Sequence, residues 1–346
     1  MYNGVILVDK PRGMTSFDVV RGIKNALMSK GGGKACRVRI GHAGTLDPMA
    51  TGLLPICIGH ATKLTQFIVV GLKEYVGEMI LGKRTDTFDC EGRVLEEHPV
   101  DRVDKEALEA AVSGFTGCLL QSPPPFSAAK YKGRPLYHFA RKGITVKKEP
   151  KEVFVKEFEI LEIKGRVRVG FRVVCSKGTY VRGLVNDIGD VMGVGAYLDV
   201  LRRTRVGPFG VEQAFPLDII LNYLEQDRLS EIVLDFEAVL QHIPSVEIDT
   251  FLAKDVIQGV PLSVEMLMEL MINQGVEYDP LVPYIRLRLG NGALARGERG
   301  QLGEREAERG RRVMHDSRMR GTVAVCFWPP QGVHEKNIKM AKVFHR

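Results

Sequence analysis

Hydrophobic and polar positions follow two different periods in the first half of the chain. Residues 4–9 form a short apolar run that predicts a buried strand. Apolar residues at helical spacing from Val19 to Leu27 predict a helix, and Thr15 with Asp18 forms a capping-box-like start for it. Alternation over residues 73–82 predicts a further strand. Two more helical patterns cover residues 59–70 and 104–113.

Strict alternation is clearest in the middle of the chain. Residues 153–163 and 166–175 predict two antiparallel strands, which are followed by a helix over 181–192 and a strand over 198–209. The segment 121–135 contains three consecutive prolines, which forbid regular pairing, so we expect it to be irregular. Strands outnumber helices and do not form regular βαβ repeats, which indicates an α+β fold.

The pattern changes near residue 245. Residues 250–274 are helical and rich in methionine, and residues 284–298 and 321–330 resemble strands of a small β domain. Between these strands, a segment near 296–320 has few apolar residues and many charges, so it is expected to be a mobile insertion. We therefore predict two domains, 1–244 and 245–346.

Composition narrows the class of protein. A length of 346 residues fits two domains, and a net charge of +7 suits a polyanionic partner, although many soluble proteins are mildly basic. The six cysteines form no CxxC pair, which argues against a zinc ribbon or a thioredoxin-type motif and fits a reducing cytoplasm. We expect no signal peptide and no membrane span, because no apolar run approaches about 20 residues.

One acidic residue stands out in the stretch GHAGTLDPMATGLLPICIG, residues 41–59. Asp47 is its only acid, lies directly before Pro48, and is surrounded by glycines that allow a ligand to approach closely. An Asp before Pro is commonly a turn residue that bonds its own backbone. The alternative is a single carboxylate that acts as a nucleophile or a general base beside a cation.

Other candidate residues in the first half of the chain give weaker evidence of a functional role. His42 is either a satisfied loop histidine or a flat ring that stacks on a base. Cys57 and His60 lack the second pair that a zinc site needs. Residues 77–84, GEMILGKR, match the spacing of a phosphate-binding loop. However, Arg84 replaces the Ser or Thr that would hold Mg²⁺, which argues against a nucleotide-hydrolysing enzyme.

Two arginine-bearing segments follow in the second half of the first domain. SKGTYVRGL, residues 176–184, leads from a strand into a helix and presents Tyr180 and Arg182. Arg182 is either solvated or positioned to meet a carboxylate or phosphate. LRRTRVGPF, residues 201–209, carries three arginines and is either a solvated face or a track for phosphates.

Five ordered segments together resemble the bacterial tRNA pseudouridine synthase B family. The resemblance is dense over residues 4–210, and the stretch around Asp47 is the family's hallmark. The segments are DKPRGMTSFDVV, GHAGTLDPMATGLLPICIG, KEYVGEMILGKRTDTFDCEG, SPPPFSAAKYKGRPLYHFARKG and SKGTYVRGLVNDIG.

The resemblance implies a mixed, mostly antiparallel sheet with flanking helices, followed by a small β-rich, PUA-like RNA-binding domain. It implies that a flipped uridine-55 in the T loop of tRNA becomes pseudouridine without a metal, nucleotide or other cofactor. The enzyme would be a cytoplasmic monomer whose partner is the T arm of tRNA. The implied site comprises Asp47 as catalytic aspartate, His42 stacking in the T loop, Tyr75 stacking on the target base, Tyr180 packing beside it, Arg182 pairing with Asp47, and Leu201 lining an apolar wall.

Two alternatives stay open at this point. A tRNA-folding chaperone would use the same basic surface without chemistry, although Asp47, Tyr75 and Arg182 together argue against binding alone. A guide-RNA-dependent synthase acting on ribosomal RNA is the second alternative. The bacterial-type segment PPPFSAAKYKGRPLY, residues 123–137, favours the stand-alone tRNA enzyme.

Overall fold

The computed structural model describes residues 2–30, 38–277, 282–289, 322–327 and 339–343. The chain divides into two compact units, Met1–Phe236 and Glu237–Arg346. The boundary predicted between residues 244 and 245 falls inside the second unit, and the insertion predicted near 296–320 lies outside the described residues. Over the described ranges, no helix combines the length and apolarity that crossing a membrane requires.

The described residues of the first unit form strands of very different lengths. The longest have eight or more residues and build the sheet that carries the site, whereas the two-residue strands close hairpins or edges. In chain order they are β1 Gly4–Lys10, β2 Ile40–His42, β3 Thr51–Ile58, β4 Lys73–Leu81, β5 Lys83–Thr85, β6 Val94–Glu97, β7 Gly117–Gln121, β8 Lys130–Tyr131, β9 Arg134–Pro135, β10 Lys151–Lys164, β11 Arg168–Cys175, β12 Ala196–Val206, β13 Phe209–Gly210 and β14 Phe215–Pro216.

The second unit has a small sheet of its own in the part of the chain that the structure describes. Its strands are β15 Ser245–Ile248, β16 Tyr284–Leu289, β17 Thr322–Phe327 and β18 Lys339–Val343. They pair in the order β15-β16-β17-β18, with β15 parallel to β16 and the other pairs antiparallel. A small β domain after residue 245 is therefore present as the sequence indicated.

Helices flank both sheets. In chain order the described α-helices are α1 Ser16–Lys30, α2 Thr65–Ile68, α3 Lys105–Ser113, α4 Leu136–Ala140, α5 Val181–Val191, α6 Leu217–Glu225, α7 Phe236–Leu240, α8 Thr250–Gln258 and α9 Val264–Asn273. Three 3-10 helices, Gly59–Leu64, Val211–Gln213 and Leu229–Glu231, lie between them in the described ranges.

The large sheet is mixed and mostly antiparallel, as the family resemblance implied. Its strands run in the order β14-β1-β3-β12-β4-β11-β10-β7, with β2 added to β3 and β13 added to β12. Only the β1–β14 and β3–β12 pairs along this path are parallel. Helix α5 packs against the central strand β12.

Local sequence chemistry explains why the first helix begins where it does. The Asp18 backbone N–H donates to Oγ1 of Thr15 at 3.0 Å, and the Thr15 N–H donates back to Oδ2 of Asp18 at 2.9 Å. This reciprocal pair satisfies two backbone donors at the helix start, which a helix cannot satisfy internally. The predicted capping box is therefore confirmed.

Several local predictions need correction. Residues 51–58, for which no element was predicted, form the strand β3, because an almost wholly apolar run is stable when both faces of a strand are buried. The helix predicted over 250–274 is two helices, because Gly259 adopts a left-handed φ of 84° and ends α8. The helix predicted over 59–70 is mostly a 3-10 helix with a short α2 after it.

Candidate active site

Asp47 lies on a short loop between β2 and β3. The Ala50 backbone N–H donates to the carbonyl oxygen of Asp47 at 3.1 Å, which makes residues 47–50 a tight turn. The turn interpretation is therefore right for the backbone. The side chain has another role, because the Asp47 carboxylate faces Arg182 and keeps 35% of its surface exposed.

Contacts with the segment after β1 fix this loop. Ser16 donates its hydroxyl to the carbonyl of Leu46 at 3.1 Å and accepts the Leu46 N–H at 2.8 Å. The buried Lys10 ammonium donates to the carbonyl of Pro48 at 3.2 Å. Burial lowers the pKa of Lys10 to about 8, an effect that the nearby Asp47 charge opposes.

A second buried cation holds the other side of the loop. Arg203, on β12, is only 1% exposed, and its Nε donates to the carbonyl of Leu53 at 2.7 Å. Its Nη2 donates to the carbonyl of Gly44 at 3.0 Å. Gly52 permits this approach, because a Cβ there would lie 2.3 Å from the Arg203 carbonyl oxygen. The Asp47 loop is thus tied to the centre of the sheet.

Arg182 connects Asp47 to the protein interior. Its Nε lies 3.3 Å from Oδ2 of Asp47, and its side chain is 4% exposed. The same guanidinium donates through Nη1 to the carbonyl of Thr87 at 3.0 Å and through Nη2 to the carbonyl of Phe126 at 2.7 Å. The arginine therefore faces the aspartate through one nitrogen, because its other nitrogens bind different acceptors.

Asp89 is the functional candidate that sequence reasoning missed. Its Oδ2 accepts from Nη1 of Arg182 at 3.3 Å, so Asp47 and Asp89 share one guanidinium. Thr87 and the Glu91 N–H donate to Oδ1 of Asp89. Burial raises the pKa of Asp89, and the Thr87 hydroxyl and the Arg182 charge oppose this rise. In its segment TDTFDC, residues 85–90, nothing in the sequence distinguishes Asp89 from Asp86.

Tyr75 and Leu201 lie on one face of the sheet. In the antiparallel pair β4–β12, Tyr75 is opposite Arg203 and Leu201 is opposite Gly77, so all four positions share a face. Tyr75 is 7% exposed and Leu201 is 5% exposed. Burial raises the pKa of Tyr75, while the neighbouring Arg203 charge lowers it. These two side chains form an apolar floor near the charged groups.

His42 is the last residue of β2, and the loop that carries Asp47 begins directly after it. Its imidazole is half-buried, and Nδ1 has no hydrogen-bond partner among the described residues. Burial lowers the pKa of His42, and the Arg203 charge lowers it further, so the ring is neutral at pH 7. A neutral, flat ring with one uncommitted nitrogen suits contact with a nucleobase.

Tyr180 caps the start of α5 through its backbone. Its N–H donates to Oε1 of Gln121 at 2.8 Å, and its carbonyl accepts from Nε2 of Gln121 at 3.0 Å. The ring is partly exposed, and over the described ranges it makes no hydrogen bond or ion pair with Asp47, Tyr75 or Arg182. The structure therefore fixes its backbone beside Arg182 and leaves the ring accessible.

The arginine-rich strand β12 does not form a continuous track for phosphates. Arg203 is buried against backbone carbonyls, and Arg202 is ion-paired with Asp9 at 2.7 Å. Arg205 is the exposed member of the three. Alternation along β12 places Arg202 and Arg203 on opposite faces, and a register irregularity between Arg203 and Arg205 separates the third arginine from the second.

The same region offers little to a metal ion. In the part of the chain that the structure describes, no group of three or more His, Cys, Asp or Glu side chains has metal-binding geometry. Cys57 is buried on β3, where it accepts a hydrogen bond from Thr65 at 3.7 Å. Independence from metal ions stays a prediction.

Comparison with known protein families gives two adjacent matches. Residues 33–181 match the TruB family pseudouridylate synthase (N terminal domain), and residues 182–241 match the tRNA pseudouridylate synthase B C-terminal domain. The first match contains Asp47, Tyr75 and Asp89, and the second begins at Arg182. The shared guanidinium therefore joins residues from both matched regions.

Curated relatives named tRNA pseudouridine synthase B are similar over most of the chain. The protein from Clostridium tetani is 40% identical over 267 residues, which is 77% of this chain and 88% of the relative. The Vibrio campbellii protein is 40% identical over 271 residues, covering 76% and 83%. The Burkholderia lata protein is 42% identical over 265 residues, covering 76% and 79%.

Solved structures share the fold over nearly the whole chain. A chain in a Cbf5-Nop10-Gar1 complex is 26% identical, with a TM-score of 0.63, and the match covers 99% of this chain and 85% of that one. A chain in an H/ACA RNP bound to a substrate RNA containing 2′-deoxyuridine is 23% identical, with a TM-score of 0.62 and the same coverage. The second likeness shows the fold alone.

Proposed function

Because the chain belongs to the TruB family of pseudouridylate synthases, we propose that it converts uridine-55 in the T loop of tRNA to pseudouridine. The name shared by relatives that are about 40% identical supports tRNA as the substrate. The T loop, and the position within it, rest on the motifs around Asp47 that the chain shares with this family.

One observation carries the proposed chemistry. The Asp47 carboxylate is 35% exposed, while the guanidinium directly behind it is 4% exposed. A carboxylate that faces solvent on a fixed loop, with its cation buried, can meet a substrate without losing its orientation. A purely structural ion pair does not need this division between a buried and an accessible partner.

The reaction is an isomerisation, so the atoms balance within the nucleotide. The N1–C1′ bond breaks, the uracil turns, and a C5–C1′ bond forms; C5 loses a proton and N1 gains one. The base must leave its stack before a protein group reaches these atoms. Asp47 acts either as a nucleophile on the sugar or base, or as the base that removes the C2′ proton. Both routes need the carboxylate in one orientation, which Arg182 provides.

The other side chains bind and position the base. Tyr75 and Leu201 support an apolar surface against which a flipped uracil packs, because both are buried on the sheet face nearest the charged groups. The accessible ring of Tyr180 packs beside the base. His42 stacks within the T loop as a neutral imidazole.

Asp89 acts through Arg182 as a positioning residue. Its ion pair with Nη1 holds the guanidinium through a different nitrogen from the one that faces Asp47. The two backbone carbonyls of Thr87 and Phe126 complete this support. Arg182 is therefore unable to move with the carboxylate when RNA enters, which keeps Asp47 in one place.

The second unit is proposed to be the PUA-like domain that grips tRNA away from the target loop. Its described four-stranded sheet and the helices α8 and α9 support a compact binding module. All proposed site residues belong to the first unit, which supports a site supplied by one chain, and we propose that the enzyme acts as a monomer on the T arm. Unpaired cysteines, of which five are described, support a cytoplasmic location.

The direct test uses a T-arm hairpin and the purified protein in buffer containing EDTA and no added cofactor. Carbodiimide mapping, read by mass spectrometry, should find one pseudouridine at the uridine that corresponds to position 55. The matched control is the same hairpin with cytidine at that position, which should give no product. RNA that refolds but carries no pseudouridine would instead favour a chaperone. Modification only of ribosomal RNA with an added guide would favour the guided enzyme.

A further inference from the structure

Arg12 contacts a cysteine across the rim of the candidate active site. It lies in the loop between β1 and α1, and its Nη2 is 3.3 Å from Sγ of Cys90. Arg12 is exposed, whereas Cys90 is half-buried. Neither residue belongs to the catalytic set described above, and their contact joins two segments that are distant in sequence.

These two segments are the ones that enclose Asp47. Gly13, next to Arg12, donates its N–H to the carbonyl of Pro48 at 2.8 Å, directly after Asp47. On the other side, Cys90 follows Asp89, which shares Arg182 with Asp47. These contacts therefore form a closed ring that passes through Asp47, and the contact between Arg12 and Cys90 includes its exposed member, Arg12.

The contact with sulfur is weak. A thiol is a poor hydrogen-bond acceptor, whereas a guanidinium carries five N–H donors suited to paired oxygens. Burial raises the pKa of Cys90, so the sulfur is a neutral thiol that does not form an ion pair. Among the residues that the structure describes, Arg12 makes no salt bridge and no hydrogen bond to oxygen.

Carboxylates also lie near this rim. Burial raises the pKa of Glu91, the charges of Asp89 and Asp47 raise it further, and Arg12 and Lys10 lower it. A polyanionic strand that enters this space meets repulsion from these carboxylates. An exposed guanidinium at the edge supplies the opposite charge where the backbone of the strand must pass.

We propose that Arg12 binds a backbone phosphate that flanks the flipped target nucleotide, and that the Cys90 thiol holds the guanidinium in place until RNA arrives. The inference rests on the proposed function, because it takes RNA as the ligand. The guanidinium would exchange one weak contact with sulfur for two charge-assisted hydrogen bonds to phosphate oxygens. Arg12 is thereby a substrate-binding residue at the entrance to the site.

The test pairs protein variants with modified RNA. T-arm hairpins are made with a single neutral methylphosphonate at each phosphate around the target uridine in turn. Arg12→Gln should weaken binding of the unmodified hairpin by roughly tenfold, the usual size for a charge-assisted hydrogen bond. With the methylphosphonate at the contacted phosphate, wild type and variant should bind equally. Arg228→Gln is the matched control: it removes an exposed arginine paired with Glu231 and should change neither affinity.

A second variant distinguishes phosphate binding by Arg12 from a structural role of its contact with Cys90. Cys90→Ala removes the sulfur and leaves Arg12 intact, so RNA affinity should stay within about twofold of wild type. A loss of RNA affinity as large as that of Arg12→Gln would overturn the proposal, because the contact between Arg12 and Cys90 would then determine the affinity. Equal losses by Arg12→Gln on every methylphosphonate hairpin, or no loss on any hairpin, would also overturn it.

Pseudouridine formation by wild type is measured on the same hairpins. If wild type forms pseudouridine normally but no methylphosphonate cancels the effect of Arg12→Gln, only the present inference is refuted. If one methylphosphonate cancels that effect but no pseudouridine forms, the proposed function is refuted and the contact between Arg12 and phosphate is supported. The two failures are therefore distinguishable.

Discussion

Arg182 and Asp89 form an ion pair in which the two side chains are 4% and 5% exposed, and the Nη1–Oδ2 distance is 3.3 Å. Removing one partner from a buried pair leaves the other charge uncompensated, which is strongly destabilising. The same guanidinium reaches Asp47, which is far more accessible. One arginine thus joins a structural acid to the proposed catalytic acid, and the predictions for these residues differ accordingly.

Replacing Asp47 should abolish chemistry without abolishing binding. Asp47→Asn keeps the shape of the side chain and removes its charge and basicity, so single-turnover pseudouridine formation should fall by at least about 10²–10⁴-fold. Affinity for tRNA should persist. Asp199→Asn is the control, because Asp199 pairs with Arg168 outside the proposed site. Wild-type turnover by the Asp47 variant would contradict the proposed chemistry.

Arg182→Lys tests the shared guanidinium. Lysine keeps the charge but cannot reach Asp47, Asp89 and two backbone carbonyls together. We expect turnover to fall by about 100-fold or more through misplacement of Asp47, with little change in tRNA affinity. Arg172→Lys, on an arginine shared by Glu74 and Glu157, is the matched control. Comparable losses of affinity and turnover by the Arg182 variant would instead indicate a phosphate contact.

Gly52→Ala should disturb the base of the Asp47 loop. Gly52 has a φ of 100°, and a Cβ there would lie 2.3 Å from the carbonyl oxygen of Arg203. Relieving this clash requires the backbone at Arg203 to move, so we expect a loss of about 2–4 kcal/mol in the free energy of unfolding. Gly41→Ala is the matched control, because nothing lies within 4 Å of its added Cβ. Urea denaturation of both variants decides the matter, and equal stabilities would refute the steric argument.

Lys73 gives the protein a pH-dependent stability. Burial lowers its pKa from 10.5 to about 8, so the folded state binds this proton less tightly than the unfolded state. The resulting cost is fully present below about pH 8 and disappears as the pH rises towards 10.5. Lys73→Met removes this cost, which should raise the free energy of unfolding at pH 7 by up to about 3 kcal/mol. The lost hydrogen bond to the carbonyl of Val69 should lower it by roughly 1 kcal/mol. The advantage should shrink above pH 8; a difference that stays constant from about pH 7 to pH 9 in urea denaturation would contradict this assignment.

Removing residues 245–346 should weaken tRNA binding and reduce its salt dependence, because fewer counterions are released from the RNA. Single-turnover chemistry at saturating RNA should change little, since the proposed site lies in the first unit. A T-arm hairpin should lose less affinity than full-length tRNA. Circular dichroism first establishes that the truncated protein is folded. A folded truncation that binds full-length tRNA as tightly as the intact protein would refute the gripping role.

The sequence by itself determined the elements whose signals are local. Alternation over residues 153–175 predicted β10 and β11, and the capping box at Thr15 predicted the start of α1. The same local chemistry marked Asp47, because a lone acid among glycines and before a proline is visible without any fold. These features depend on residues within one or two turns of each other, so neighbouring residues were enough to specify them.

Tertiary structure decided everything that depends on distant residues. The apolar run of β3 became a strand because it lies between β1 and β12 inside the sheet with seven of its eight residues buried, which no local period reveals. Arg203 became an anchor for the loop rather than a phosphate ligand because its strand turns it inward. Asp89 became the second partner of Arg182 because the fold brings together residues 93 positions apart. Burial, which changes the strength of each charge interaction, is a property of the packed sheet and helices and of no single segment.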